Sequence, residues 1–378
     1  MSKKGRLLEA LFSLFLVLIL LPTISCKKEP KEEFIKIGAI LPLTGSAAEI
    51  AEQHKMGIDL AVEKINAGGG INEKKLEVIY EDDKNDPKIT VSCFNKLVDI
   101  NKVPVVITVM SGPSMAVYPL AEQKKVILFA NCGHPEITIL SDWVFRNFPT
   151  SKHEAQTMMK FAANKLKIKN IAVLYINDAF GEAALNIVRK ECKNYGINLL
   201  ITEPFEKDSS DFRTQITKVI NKKPEAIYIY GYGKSNGFVV KQTREFGFKG
   251  YILGSYNFSV EPTKSIAAPS LEGTIFTLPS FDPSSSNEKV INFVEEFEKK
   301  YGYNSLPVWN SVIEYDAVII IAKAIKNGGY SSEQIKRYLE NLGDFECVAG
   351  RYSYLPGGEW MCELSIKKFK NGKIYEVE

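Results

Sequence analysis

The chain has 378 residues, 45% hydrophobic and 25% charged, with a formal net charge of +3, which is enough to bury the cores of about two domains. That balance leaves no basic footprint for nucleic acid. His54, His134 and His153 are scattered and no Cys-x-x-Cys pair occurs, so neither a metal centre nor a bound cofactor is expected.

Lys3, Lys4 and Arg6 form a cationic head before the apolar run Ala10 to Leu21. The run is too short for a good membrane span and reads as an export signal over 1–25. Ser25-Cys26 resembles the bacterial lipoprotein cleavage site, which implies a lipidated Cys26, a charged tether over 26–33 and membrane contact through lipid only. Thr23 stands where that pattern usually has leucine, and simple secretion or a retained anchor stays open. Five further cysteines follow, an odd number, of which Cys347 and Cys362 flank a hairpin signal and are the expected disulfide.

Phe34 to Leu43 reads as a buried strand, with Ser46 and Glu49 as a capping box for the helix carrying Ile58, Ala61, Val62 and Ile65. Leu76 to Tyr80 is the next strand. The acids Glu81, Asp82, Asp83 and Asp86 after it lack the alternating spacing of a calcium loop and read as solvated. Val105 to Val109 is a β-branched run leading into Ser111-Gly112-Pro113-Ser114 and a helix. That order aims amides and two hydroxyls out of the carboxyl end of a sheet, where an anionic group is held without a basic side chain; plain helix capping is the alternative. Val126 to Ala130 is another strand, ending at Asn131-Cys132-Gly133.

A second unit repeats the alternation. Its strands are Ile171 to Tyr175, Leu199 to Thr202, Ala226 to Tyr230 and Tyr251 to Gly254, with Asn177 to Gly181, Gly231-Tyr232-Gly233 and Ser255-Tyr256-Asn257 at strand ends. Helices around Val290 to Phe297 and Val308 to Ile325, and another begun by a Ser331/Gln334 capping box, return to the first unit. Turns at Pro356-Gly357-Gly358 and Asn371-Gly372 mark closing hairpins. The pattern implies an α/β protein with doubly wound parallel sheets. Gly233-Lys234-Ser235-Asn236-Gly237 matches the nucleophile elbow of hydrolases, but every histidine precedes Ser235, so the order of an α/β-hydrolase triad fails and an enzyme is not expected.

Gly38-Ala39-Ile40-Leu41-Pro42-Leu43-Thr44-Gly45, followed by Gly57 to Gly69, resembles the opening of the leucine/isoleucine/valine-binding type of periplasmic binding protein. Asp82 to Pro87, Phe180-Gly181-Glu182 and Tyr315-Asp316-Ala317 fit later blocks. The resemblance implies two Rossmann-like lobes joined by three crossovers, here 34–149 with 278–348 and 150–277 with 349–378. It further implies a small amino-acid-like ligand, ABC permease subunits as partners, and a periplasmic or cell-surface location. A ligand-sensing receptor component is the alternative with the same fold. Ser111 matches the serine that holds the ligand carboxylate, and Ser114 shares its turn. Asn131, Cys132 and Gly133 replace the stretch that supplies a carbonyl and a hydroxyl; Phe180 and Tyr230 are aromatic wall. The family's acid for the ligand ammonium falls after Gly254, where this chain has Tyr256.

Overall fold

The computed structural model describes residues 34–279, 281–302 and 309–377. The export signal, Cys26 and the tether lie outside the described residues.

Two sheets organise the chain. The first uses β1 (Ile35–Leu41), β2 (Leu76–Asp82), β3 (Val105–Val109), β4 (Ile127–Asn131) and β5 (Val144–Phe145), in the order β2-β1-β3-β4-β5, all parallel. The second uses β6 (Asn170–Ile176), β7 (Asn198–Phe205), β8 (Ala226–Tyr230), β9 (Tyr251–Gly254) and β10 (Ile275–Pro279), in the order β7-β6-β8-β9-β10. Both sheets therefore wind as 2-1-3-4-5. Short β-branched runs make these strands because both faces are covered: every residue of β3, β4 and β8 is buried.

The helices between the strands are α1 (Ala48–Ala67), α2 (Pro87–Asn95), α3 (Ser111–Lys124), α4 (Ser151–Asn164), α5 (Ala179–Tyr195), α6 (Arg213–Asn221), α7 (Gly233–Glu245) and the short α8 (Thr263–Ala267). α9 (Glu288–Tyr301), α10 (Trp309–Gly328) and α11 (Ser332–Glu340) then return to the first sheet, where Phe293, Phe297, Val312, Ile320 and Ile335 join its core. The Ser331/Gln334 capping box at α11 is formed. α10 lies so close to α1 that a Cβ on Gly57 would stand 2.0 Å from the Ser311 carbonyl oxygen.

A small antiparallel sheet of β11 (Phe345–Cys347), β12 (Gly350–Leu355) and β13 (Glu359–Met361) follows. Tyr352 and Trp360 from it pack into the core of the first sheet rather than the second, so 350–361 does not join the unit expected for 349–378. Only β14 (Leu364–Lys370) and β15 (Lys373–Glu376) extend the second sheet, antiparallel beside β10. The chain thus passes between the sheets three times.

Three further expectations give way to local chemistry. α1 begins after Ala47 with no side-chain cap, so Ser46 and Glu49 form no capping box. Asp83 is buried rather than solvated, because the loop folds back on α2: Asp83 accepts from the Thr90 hydroxyl (2.9 Å) and the Asn85 amide (3.0 Å). Cys347 and Cys362 are buried free thiols. They belong to β11 and to the residue after β13, strands on opposite sides of β12; two strand spacings are about 9.5 Å, beyond disulfide reach.

Candidate functional site

In a doubly wound sheet the loops leaving the first and third strands diverge to opposite faces and open a crevice at the carboxyl edge. Here two such crevices face one another. A cavity of about 310 Å³ between them is lined from the first sheet by His54, Asn85, Met110, Ser111, Asn131, Cys132 and Gly133, and from the second by Asn177, Asp178, Phe180, Tyr232, Tyr256 and Asn257. Its volume is at the small end of the roughly 300–1,000 Å³ range of ligand pockets.

The wall on the first side is polar and unfinished. Ser111 is the first residue of α3, and the Ser111 and Gly112 amides fall in the turn whose N–H groups have no intrahelical acceptor. The Ser111 hydroxyl is buried with no hydrogen-bond partner among the described residues, and the same holds for both polar atoms of Asn131, itself 1% exposed. Met110 turns the chain into the helix with φ 67° and ψ 141°, a conformation costly for a residue with a side chain, at the cavity wall. The Cys132 thiol is pushed up by burial, against the pull of the Arg146 charge and the nearby hydroxyls, and stays neutral. Arg146, fully buried, donates from Nη1 to the Cys132 and His134 carbonyls (3.2 and 2.5 Å) and pairs with Glu359 at 3.0 Å, fixing the loop from behind.

The second side is aromatic. Phe180 stacks on Tyr230 with ring centroids 4.6 Å apart, and meets Tyr232 edge-on at 5.9 Å. Tyr256 meets Phe148 edge-on at 5.6 Å. Asp178 caps α5 by accepting the Phe180 and Gly181 amides, both at 3.0 Å, and takes the Tyr232 hydroxyl at 2.6 Å. Burial raises the Asp178 carboxyl above its ordinary value. Phe180 also closes against the opposite wall, where a Cβ on Gly133 would be 2.6 Å from its ring.

Of the residues expected at the site, Ser111, Asn131, Cys132, Gly133, Phe180 and Tyr256 line the cavity. Ser114 and Tyr230 are not among its lining residues. Ser114 is one turn deeper in α3 and bonds the Thr108 hydroxyl at 3.0 Å. Tyr230 is the last residue of β8 and donates its hydroxyl to the buried Glu154 at 2.6 Å. The Ser235 hydroxyl lies within the first turn of α7, 3.4 Å from the Tyr232 carbonyl, and Ser235 is not among the residues lining the cavity. His54, Asn85, Asp178, Tyr232 and Asn257 went unassigned in the sequence. Tyr232 and Asp178 carried a signal, since each follows the carboxyl end of a strand; His54 on α1, bonded to Glu314 at 3.0 Å, carried none.

Two like-wound α/β sheets whose carboxyl edges enclose a small, partly apolar cavity define a small-molecule binding protein. The profile of the periplasmic binding protein family matches residues 34–364, and the chain belongs to that family. Its fold is that of the type I members. The chain is 28% identical over 329 residues to the leucine-, isoleucine-, valine-, threonine- and alanine-binding protein of Pseudomonas aeruginosa, covering 86% of this chain and 87% of the relative. The substrate-binding protein LivJ of Streptococcus pneumoniae, solved in complex with isoleucine, superposes with a TM-score of 0.83 at 26% identity, covering 91% of this chain and 99% of its own. A solute-binding protein of an ABC transporter from R. palustris, solved with benzoate, shares the fold with a TM-score of 0.82 at 20% identity, covering 91% and 96%. A substrate-binding role follows for this chain. Among the described residues no helix is long and apolar enough to cross a membrane.

Proposed function

We propose that this chain is an exported, lipid-tethered substrate-binding protein that delivers a small carboxylate, such as a branched-chain amino acid or a related acid or amide, to the permease of an ABC importer. One observation carries the reading: Ser111 and Asn131 present buried polar atoms without partners to a cavity enclosed by both sheets. A buried polar group left unbonded costs about 1–3 kcal/mol, a cost that a ligand carboxylate accepting from Ser111 and from the α3 amides offsets. The ligands in the two solved relatives, isoleucine and benzoate, both carry that group.

In this reading the two sheets are the lobes of a clamp. The first lobe is 34–149 with 281–361, and the second is 150–279 with 364–377. The ligand bridges Ser111 and Asn131 on one side and Phe180, Tyr232 and Tyr256 on the other, and its preference for the closed form drives closure. Lipid on Cys26 holds the clamp at the membrane, in the periplasm or on the cell surface, within reach of the permease.

Mass spectrometry of the small molecule that copurifies with the native protein, followed by calorimetric titration of the stripped protein with that compound, tests the reading. A carboxylate bound with one-to-one stoichiometry supports it. A molecule recovered chemically altered after incubation, or one lacking any anionic group, counts against it.

A further inference from the structure

We infer that the ligand seated by Ser111 carries no amino group: the cavity takes a small apolar monocarboxylate and discriminates against the matching α-amino acid. This rests on the reading just given and narrows its substrate class.

An ammonium taken out of water needs a carboxylate or a set of free carbonyls around it. The acids lining the cavity are Asp178 and Glu206. Asp178 is already occupied by two amides and the Tyr232 hydroxyl, and burial disfavours its charge. Glu206 is exposed on the loop after β7, accepts from Asn177 Nδ2 at 2.7 Å and sits beside Lys207, which lines the same wall.

Two further acids lie behind the wall and are not among its lining residues. Glu314 is bonded to His54 Nδ1. Glu154 is held by the Tyr230 and Thr277 hydroxyls and the Tyr256 amide, at 2.6, 2.7 and 3.2 Å. The carbonyls of Cys132 and His134, on the loop where an ammonium would seek acceptors, already receive the Arg146 guanidinium. A cation on those oxygens would face a cation behind them.

What the cavity offers suits an anion on an apolar body. The Ser111 hydroxyl and Asn131 Nδ2 are unpaired donors among the described residues, and the first amides of α3 have no intrahelical acceptor. Asn131 Oδ1, also unpaired, is a single neutral oxygen and not the set of acceptors an ammonium needs. Phe148, Phe180, Tyr232 and Tyr256 supply flat apolar surface around them. Tyr256 presents a buried neutral phenol to this wall, and burial raises it further above its ordinary value.

The test is calorimetric titration of the full chain, stripped of bound ligand by reversible denaturant unfolding, with matched pairs: 4-methylpentanoate against leucine, and 3-phenylpropanoate against phenylalanine. The amine-free member is expected to bind at least tenfold tighter in each pair that binds. Leucine or phenylalanine binding as tightly as its partner overturns the inference and leaves the carboxylate seat standing. Failure of all four to bind, with no carboxylate recovered from the native protein, overturns both. Tyr256→Glu, and independently the nearly isosteric Asn257→Asp, add an acid to the wall. Each is expected to raise leucine affinity relative to 4-methylpentanoate at least tenfold, and an unchanged ratio in both variants contradicts the assignment.

Discussion

Asn85 Nδ2 donates to the Tyr232 hydroxyl at 3.3 Å, joining the loop after β2 in the first sheet to the loop after β8 in the second. The same hydroxyl donates to Asp178, so a single oxygen ties the two walls together at the cavity. Tyr232→Phe keeps the ring and its edge contact with Phe180 but removes both bonds. It is expected to weaken ligand affinity by about 1–2 kcal/mol, or roughly tenfold, with most of the change in the dissociation rate. Stopped-flow release of bound ligand measures it; an unchanged off-rate would remove Tyr232 from the closure mechanism.

The two serines of α3 separate function from stability. The Ser111 hydroxyl has no partner among the described residues, whereas the Ser114 hydroxyl bonds Thr108 in the interior. Ser111→Ala is therefore expected to lose about 1–2 kcal/mol of ligand affinity while the unliganded protein melts within a few degrees of wild type. Ser114→Ala leaves the buried Thr108 hydroxyl unpaired and is expected to cost about 1–2 kcal/mol of stability. Thermal melts and titrations of both variants, read together, check the contrast.

Glu154 gives stability a pH dependence of definite sign. Burial pushes its carboxyl from about 4.5 up to about 7, against the hydrogen bonds from Tyr230, Thr277 and Tyr256. Between those values the native state keeps a proton that the unfolded chain has released, so this contribution is complete below about pH 4.5 and is lost as pH rises through about 7. The amplitude is at most about 3 kcal/mol. Denaturant titrations at pH 5 and pH 8 should show wild type losing more stability than Glu154→Gln over that interval. Equal losses would mean that Glu154 titrates alike in both states.

Gly57 fixes how closely α1 approaches α10. A methyl group there would stand 2.0 Å from the Ser311 carbonyl oxygen, so Gly57→Ala must push the helices apart despite the better helix propensity of alanine. The expected cost is about 1–3 kcal/mol of unfolding free energy. A variant as stable as wild type would show that this interface yields freely.

The sheets were legible because strands buried on both faces must be predominantly apolar, as β3, β4 and β8 are, and the alternation with amphipathic helices fixes parallel winding. Ser111 was legible for a related reason: a small polar residue directly after such a strand has no place but the carboxyl edge. Ser114 and Tyr230 misled through position by a single step. Ser114 lies one helical turn too deep, and Tyr230, the last residue of β8, stops two residues short of Tyr232, which lies beyond the strand end. His54 and Asn85 reach the cavity only because separate elements converge there, which no local pattern encodes. The unpaired cysteines follow equally from tertiary order, since β12 separates Cys347 from Cys362.

The most direct test is a crystal structure of the native protein with its copurifying ligand retained. A carboxylate oxygen about 3 Å from the Ser111 hydroxyl, with the body of the ligand against Phe180 and Tyr256, is the predicted result. A ligand bound outside this cavity, or one seated with its anionic group away from Ser111, would contradict the account.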